Sequence, residues 1–192
     1  MEEKMNPKDR RVRKTKTQLE NGLAGLLREK AINEITVTEL TERVDINRST
    51  FYLHYRDIYD MMESIENELV EKIEELIQAR PVSPFGENSF PFIEDIFAIL
   101  AENKAICAAL LGPNGDIAFL HRIEAILSKH SLKVLEATFP DRSDDLKYSY
   151  AFCLSGCVGL IKTWLAAAFP ENPEHMAKLT FRLITNALAE QR

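Results

Sequence analysis

Apolar residues recur at helical spacing along most of the chain, and no strand-like alternation is sustained anywhere, so the pattern predicts an all-α protein. A first helix is expected from about Arg10 to Glu29, with Leu19, Leu23, Leu26 and Leu27 on its inner face. A second starts near Val37, because Thr36 can cap it and Glu39, three residues on, can reach back to complete a capping box. Val37, Leu40 and Val44 face inward. The chain then breaks at Asp45, a residue type that tolerates the left-handed backbone of a sharp turn, and Ile46 plugs the corner. Asn47 is a good N-cap, so a third helix opens at Arg48.

Further along, Asp57 suits the start of a long fourth helix that carries Met61, Ile65, Leu69, Ile73 and Leu76 toward Arg80. Pro81 to Pro91 interrupts the periodicity and reads as a loop. An apolar stripe of Phe92, Ile93, Ile96, Phe97 and Leu100 follows, then a short helix from Ile106 to Leu111. The run GPNGD at 112–116 is a turn in which Asp116 can cap the next helix, which extends to about Ala137. Residues 148–169 are apolar on every face and about long enough to span a bilayer. Lys162, Ser149, Ser155 and Thr163 weaken that reading, and a helix buried in a folded core is favoured over a membrane span. The last helix, about Pro173 to Ala189, presents Met176, Leu179, Leu183, Ile184, Ala187 and Leu188 on one face.

Chemistry concentrates in the third helix. A 100° step per residue sends Phe51 and Tyr55 to the core and collects Ser49, Tyr52, Leu53 and Arg56 at i, i+3, i+4 and i+7 on a separate stripe. The small core has no need of that stripe, which leaves it able to enter a DNA groove. Arg48 can offer two donors to a guanine edge, while Ser49 and Thr50 serve bases or phosphates and Tyr52 a phosphate or a thymine methyl. His54, on one flank with Thr50, either donates to a phosphate or is a half-exposed surface histidine. Thr36 and Thr38, at the front of the second helix, complete the candidate DNA contacts.

The run RSTFYLHYRDIYDMM, with the helix pair before it, resembles the DNA-binding domain of TetR-family transcriptional regulators over residues 10 to about 62. The family usually has glycine where this chain has Asp45, and often a phosphate-contacting lysine where it has Ile58. The lost charge then falls to Arg56 and the basic N-terminal arm. The GPNGD turn with FLHRIEAIL is similar to a C-terminal domain of a TetR subgroup that includes dihydroxyacetone-kinase regulators.

Charge counted by segment supports a nucleic-acid role. Residues 1–56 hold 12 Lys+Arg and 9 Asp+Glu, a net of +3; the totals of 24 and 30 leave 12 and 21 in residues 57–192, a net of −9. The asymmetry, and not the overall −6, is the relevant quantity. Arg10, Arg11, Arg13, Lys14 and Lys16 cluster before and inside the first helix, where they either track the phosphate backbone and minor groove or form a solvated tail. The natural division is a DNA-binding module at 1–56 and a larger helical regulatory and dimerisation domain at 57–192. The N-terminus lacks an apolar segment of signal-peptide type, so a cytoplasmic protein is expected, and the odd number of cysteines, three, fits reduced thiols.

The resemblance implies a homodimer in which the last two helices of each subunit form a four-helix bundle, and reading a palindrome requires two recognition helices on a two-fold axis. Leu165, Leu179, Leu183 and Ala187 are the interface candidates, with intramolecular core as the alternative. It also implies a small-molecule effector among the later helices, for which Phe97, Phe119, Tyr148, Phe152 and Trp164 are candidate lining residues or ordinary core. Neither a glycine-rich phosphate loop nor a nucleophile with its base is recognisable, so no enzyme and no cofactor are expected. Cys153 and Cys157, one helical turn apart, leave a metal or redox sensor as a minor reading, and the subgroup resemblance leaves a coactivator that grips a kinase-like protein partner.

Overall fold

The computed structural model describes residues 7–79, 92–138, 143–167 and 171–189, all helices and their connections. The elements are α1 (Pro7–Leu27), α2 (Val37–Arg43), α3 (Arg48–Tyr52), α4 (Ile58–Ala79), α5 (Phe92–Glu102), α6 (Lys104–Leu110), α7 (Ile117–Thr138), α8 (Ser143–Ala166) and α9 (Pro173–Ala189), with one turn of 3-10 helix at Ile32–Glu34. No strand occurs among the described residues. The expected loop at Pro81–Pro91 lies outside them. Two compact units are present, Met1–Glu68 with Ala105–Asp116, and Leu69–Lys104 with Ile117–Arg192. The division falls within α4, whereas the sequence places a boundary at its start.

In the first unit the predicted face of α1 is fully buried at Leu19, Leu23, Leu26 and Leu27, joined by Leu40, Phe51, Tyr55 and Met61. Gly22 lets α2 approach: a Cβ there would lie 2.4 Å from Val44 Cγ1 and 2.9 Å from Leu40 Cδ1. At the N-terminus of α2 the Thr36 hydroxyl accepts from the Glu39 amide at 3.2 Å. The other half of the expected capping box is missing, because the Glu39 carboxylate takes the Lys30 ammonium at 2.5 Å instead. A nearby cation outcompetes one amide as a partner for a charged oxygen. Asp45 holds φ at 52°, the left-handed turn its residue type allows, and Asn47 Oδ1 accepts from both the Ser49 amide and the Ser49 hydroxyl at 2.8 Å. After α6, the turn expected at 112–116 serves α1: Asn114 Nδ2 donates to the Leu27 carbonyl at 3.0 Å, satisfying one of the acceptors left over at a helix end. Gly115 is required there, since a Cβ would fall 1.8 Å from the Leu110 carbonyl oxygen.

The second unit is built around Ile73, Ile77, Phe92, Leu146 and Leu188. Within it α5 packs along α9, and α8 touches both α7 and α9. Pro173 opens α9, with the Asn172 side chain accepting the His175 amide at 2.7 Å. Trp164 is pinned by its indole N–H, which donates to the Glu171 carbonyl at 2.8 Å, and its ring meets Phe97 edge-on at 5.3 Å. Residues Leu146–Ala166 of α8 are long and apolar enough to cross a membrane, with 11% of that stretch buried. The expectation that α8 lies enclosed in the core is therefore corrected: one face packs inward and the other is open.

Candidate nucleic-acid interface

The third helix is shorter than its sequence suggests. It ends at Tyr52, and residues 53–56 form a turn in which His54 and Tyr55 both donate their amides to the Phe51 carbonyl, at 2.9 and 3.0 Å. The Tyr55 ring stays buried beside Phe51, while the Arg56 amide leaves the helical ladder for the Asp60 carboxylate. Arg56 therefore does not continue the helical stripe. Its position is set instead by a reciprocal cap: Asp57 Oδ1 accepts from the Asp60 amide at 2.8 Å, and Asp60 Oδ2 accepts from the Arg56 amide at 2.8 Å.

The outward face of the unit carries Arg48, Ser49, Tyr52 and Leu53, all exposed, with Leu53 80% accessible. Leu53, just past the end of α3, forgoes the burial that a leucine usually gains on folding and leaves an apolar contact point beside Tyr52. Phe51 behind them is completely buried and meets the Tyr52 ring edge-on at 5.5 Å and the Tyr55 ring at 5.7 Å, so the reading side chains stand on a rigid base. Thr36 is exposed, while Thr38, Thr50 and His54 are half-buried.

The cations of this unit divide into two groups. Arg43 meets Glu29 at 2.6 Å, Lys30 meets Glu39, Lys16 meets Glu68 at 3.0 Å, and Arg56 meets Asp60 at 2.6 Å. The hydrogen bond from Arg56 holds the Asp60 carboxyl below its usual range. Arg48, Arg11, Arg13 and Lys14 are exposed and form no ion pair among the described residues. Arg56 gives Nε and Nη2 to Asp60, which leaves its Nη1 donors on an exposed side chain for a phosphate. Ile58, where the family often carries lysine, is buried. Tyr59, on the first turn of α4 between the buried Ile58 and the capping Asp60, is also exposed.

In the second unit a cavity of about 100 Å³ opens among α5, α7, α8 and α9. Of the five aromatic candidates only Phe97 lines it; Trp164 stands behind that ring, and Phe119 is buried elsewhere. Tyr148 and Phe152 are corrected, since both are exposed, Phe152 at 73%, with the Lys147 ammonium 4.9 Å from the Tyr148 ring centre. Tyr150, Cys153 and Cys157, on the opposite side of α8, take the lining positions instead. A helix apolar all round gives no sequence signal for which side turns inward. Burial pushes the Cys153 thiol up and the Cys157 thiol, also facing Cys153, up to about 11. Both are thus protonated near neutrality, which disfavours the thiolate that oxidation or metal binding uses. Among the described residues no three His, Cys, Asp or Glu side chains gather to hold a metal.

Among the interface candidates, Leu165 is only 5% exposed within a single chain and packs in its own core, which corrects its assignment. Leu179 is half-buried, while Leu183 (51%) and Ala187 are exposed. The last two share a groove with Phe152, Gly156 and Leu160 of α8. Gly156 and Gly159 face open space.

Comparison with known proteins agrees with this architecture. A TetR transcriptional regulator from Streptococcus agalactiae 2603V is 25% identical and superposes with a TM-score of 0.55 over 92% of this chain and 97% of that one. The fatty acid degradation regulator FadR from Bacillus halodurans, 14% identical, superposes with a TM-score of 0.60 over 95% and 96% of the two chains, a likeness of fold. No curated protein matches the chain. Residues 87–186, just over half of its length, match the TetR-type model described as a transcriptional regulator C-terminal region, which does not single out the dihydroxyacetone-kinase regulators. The chain belongs to the TetR family of transcriptional regulators.

Proposed function

We propose that this protein is a cytoplasmic, effector-responsive repressor that binds a palindromic operator as a homodimer. The observation that carries the reading is the exposed set Arg48, Ser49, Tyr52 and Leu53, standing on a buried Phe51, with Arg48 outside the ion pairs that occupy its neighbours. Residues 1–56 carry the DNA-reading function: Arg48, Ser49, Thr50, Tyr52 and Leu53 face the major groove, Thr36, Thr38, His54 and Arg56 its phosphates, and Arg11, Arg13 and Lys14 the flanking backbone. Residues 57–192 carry regulation and dimerisation. The open face of α8 and α9, with Phe152, Leu183, Ala187 and the two glycines, receives the same face of a second copy. A ligand in the apolar cavity then needs only to prefer one separation of the recognition helices over another to change operator affinity.

Selection of bound sequences from a random duplex pool at near-physiological salt tests this directly. Enrichment of a two-fold-symmetric site is the expected result; a folded sample that enriches nothing would overturn the reading and direct attention to a protein partner. On the selected operator, Arg48→Ala should cost about 1 to 3 kcal/mol at particular base pairs and relax preference there. Arg11→Ala should weaken every sequence alike and flatten the dependence on salt. Binding curves for both variants across operator mismatches and salt concentrations check the division of labour, which fails if the two behave the same.

A further inference from the structure

The wall of the second-unit cavity is notable for the chemistry it lacks. Among the described residues that line it, none is Asp, Glu, Lys, Arg or His; Phe92, Ile93, Ile96, Leu127 and Ile161 dominate it. A charged ligand group would have to leave water without a counter-charge, a cost far larger than the burial of its hydrocarbon returns. The polar atoms on the wall are few and mostly used. The Thr180 hydroxyl donates to the Met176 carbonyl at 2.8 Å. The Tyr150 hydroxyl differs: it is fully buried and completes no hydrogen bond of good geometry, although Ser128 and Ser131 are close enough to offset part of the effect of burial on its acidity.

A buried hydroxyl without a well-placed partner is costly, so a polar atom delivered beside it recovers interaction that the empty protein forgoes. The volume bounds the rest of the molecule. An apolar cavity of about 150 Å³ accepts a benzene ring, so about 100 Å³ with yielding aliphatic and thiol walls suits a single ring or a short branched chain. Resting on the reading of this cavity as the effector site, we infer that the effector is an uncharged, largely hydrocarbon molecule of about single-ring size whose one polar group pairs with the Tyr150 hydroxyl. Carboxylates and phosphates placed inside it would find no counter-charge among the described wall residues.

Calorimetric titration of the full chain, without DNA, with phenol, toluene and benzoate tests the inference. Phenol and toluene should bind and benzoate should not. The chain has one tryptophan, Trp164, and its contact with Phe97 makes tryptophan emission a second readout of occupancy. Tyr150→Phe should weaken phenol about 5- to 10-fold and leave toluene within about 2-fold, the loss being that of a single hydrogen bond. Circular dichroism confirms that the variant is folded. Benzoate binding as tightly as phenol, equal effects of the substitution on phenol and toluene, or failure of both neutral rings to bind would each overturn the proposal. Because DNA is absent, these outcomes are independent of the operator selection: a chain that enriches an operator but rejects neutral rings keeps its DNA-reading role and loses only this effector class.

Discussion

A Leu183→Glu variant should be a folded monomer and should lose at least about 100-fold in operator affinity. In a single chain Leu183 is half-exposed on α9, so a carboxylate there meets water and leaves the unit's core of Ile73, Ile77, Phe92, Leu146 and Leu188 intact. In the proposed dimer the same side chain lies against the partner's α8 and α9, where the groove offers Phe152, Leu160 and Ala187 and no cation. Each copy then buries an uncompensated charge, at several kcal/mol, and two-fold symmetry imposes that twice. Losing the dimer halves the set of base contacts and removes the spacing that matches a palindrome. Sedimentation at equilibrium with circular dichroism reads the first effect, and titration of the selected operator reads the second. A variant that stays dimeric would place the interface elsewhere, and a monomer with undiminished affinity would remove the two-helix reading of DNA. Leu183 is not part of the cavity wall, so phenol binding should survive the change.

Phe51→Ala should destabilise the first unit by about 3 to 5 kcal/mol, the range for removing a fully buried aromatic side chain. Such a loss is a large fraction of the stability of any domain of this size. The reason is both volume and geometry. Phe51 is wholly enclosed, it contacts the Tyr52 and Tyr55 rings, and its carbonyl accepts both amides that close the turn after α3. Removing the ring leaves a cavity beneath the reading face and frees Tyr52 to reorient. Thermal unfolding followed by circular dichroism should show a lowered first transition, and operator affinity should fall even at temperatures where the variant is folded. Unchanged stability would mean that the core can collapse around the void and that α3 is held by its Asn47 cap alone, a contribution of about 1 kcal/mol.

Much of this protein is legible locally. The Thr36 and Asn47 caps, the left-handed turn at Asp45, the buried leucines of α1, the start of α4 after Asp57 and the bounds of α9 follow from side chains acting on backbone groups within a few residues. Those interactions are encoded wherever the residues occur together, and the charge asymmetry between the two parts of the chain is a property of composition. The exposed stripe of Ser49, Tyr52 and Leu53 is visible in the same terms, because it is defined by what the local core does not use.

Tertiary structure decided everything that depends on a choice between equivalent local answers. Helical periodicity runs through Arg56, yet α3 stops at Tyr52, and the Arg56 amide goes to the Asp60 carboxylate of α4 instead of a helical carbonyl. Glu39 can reach either an amide or an ammonium, and Lys30 from a separate segment settles it. The apolar surface of α8 offers no preferred side, so only packing against α7 and α9 turns Tyr150, Cys153 and Cys157 inward and leaves Tyr148 and Phe152 outside. The same packing withdraws Leu165 from any interface. Hydrophobic burial has no direction of its own, so where a helix is apolar all round the sequence determines that it packs, and its neighbours in space determine which residues meet.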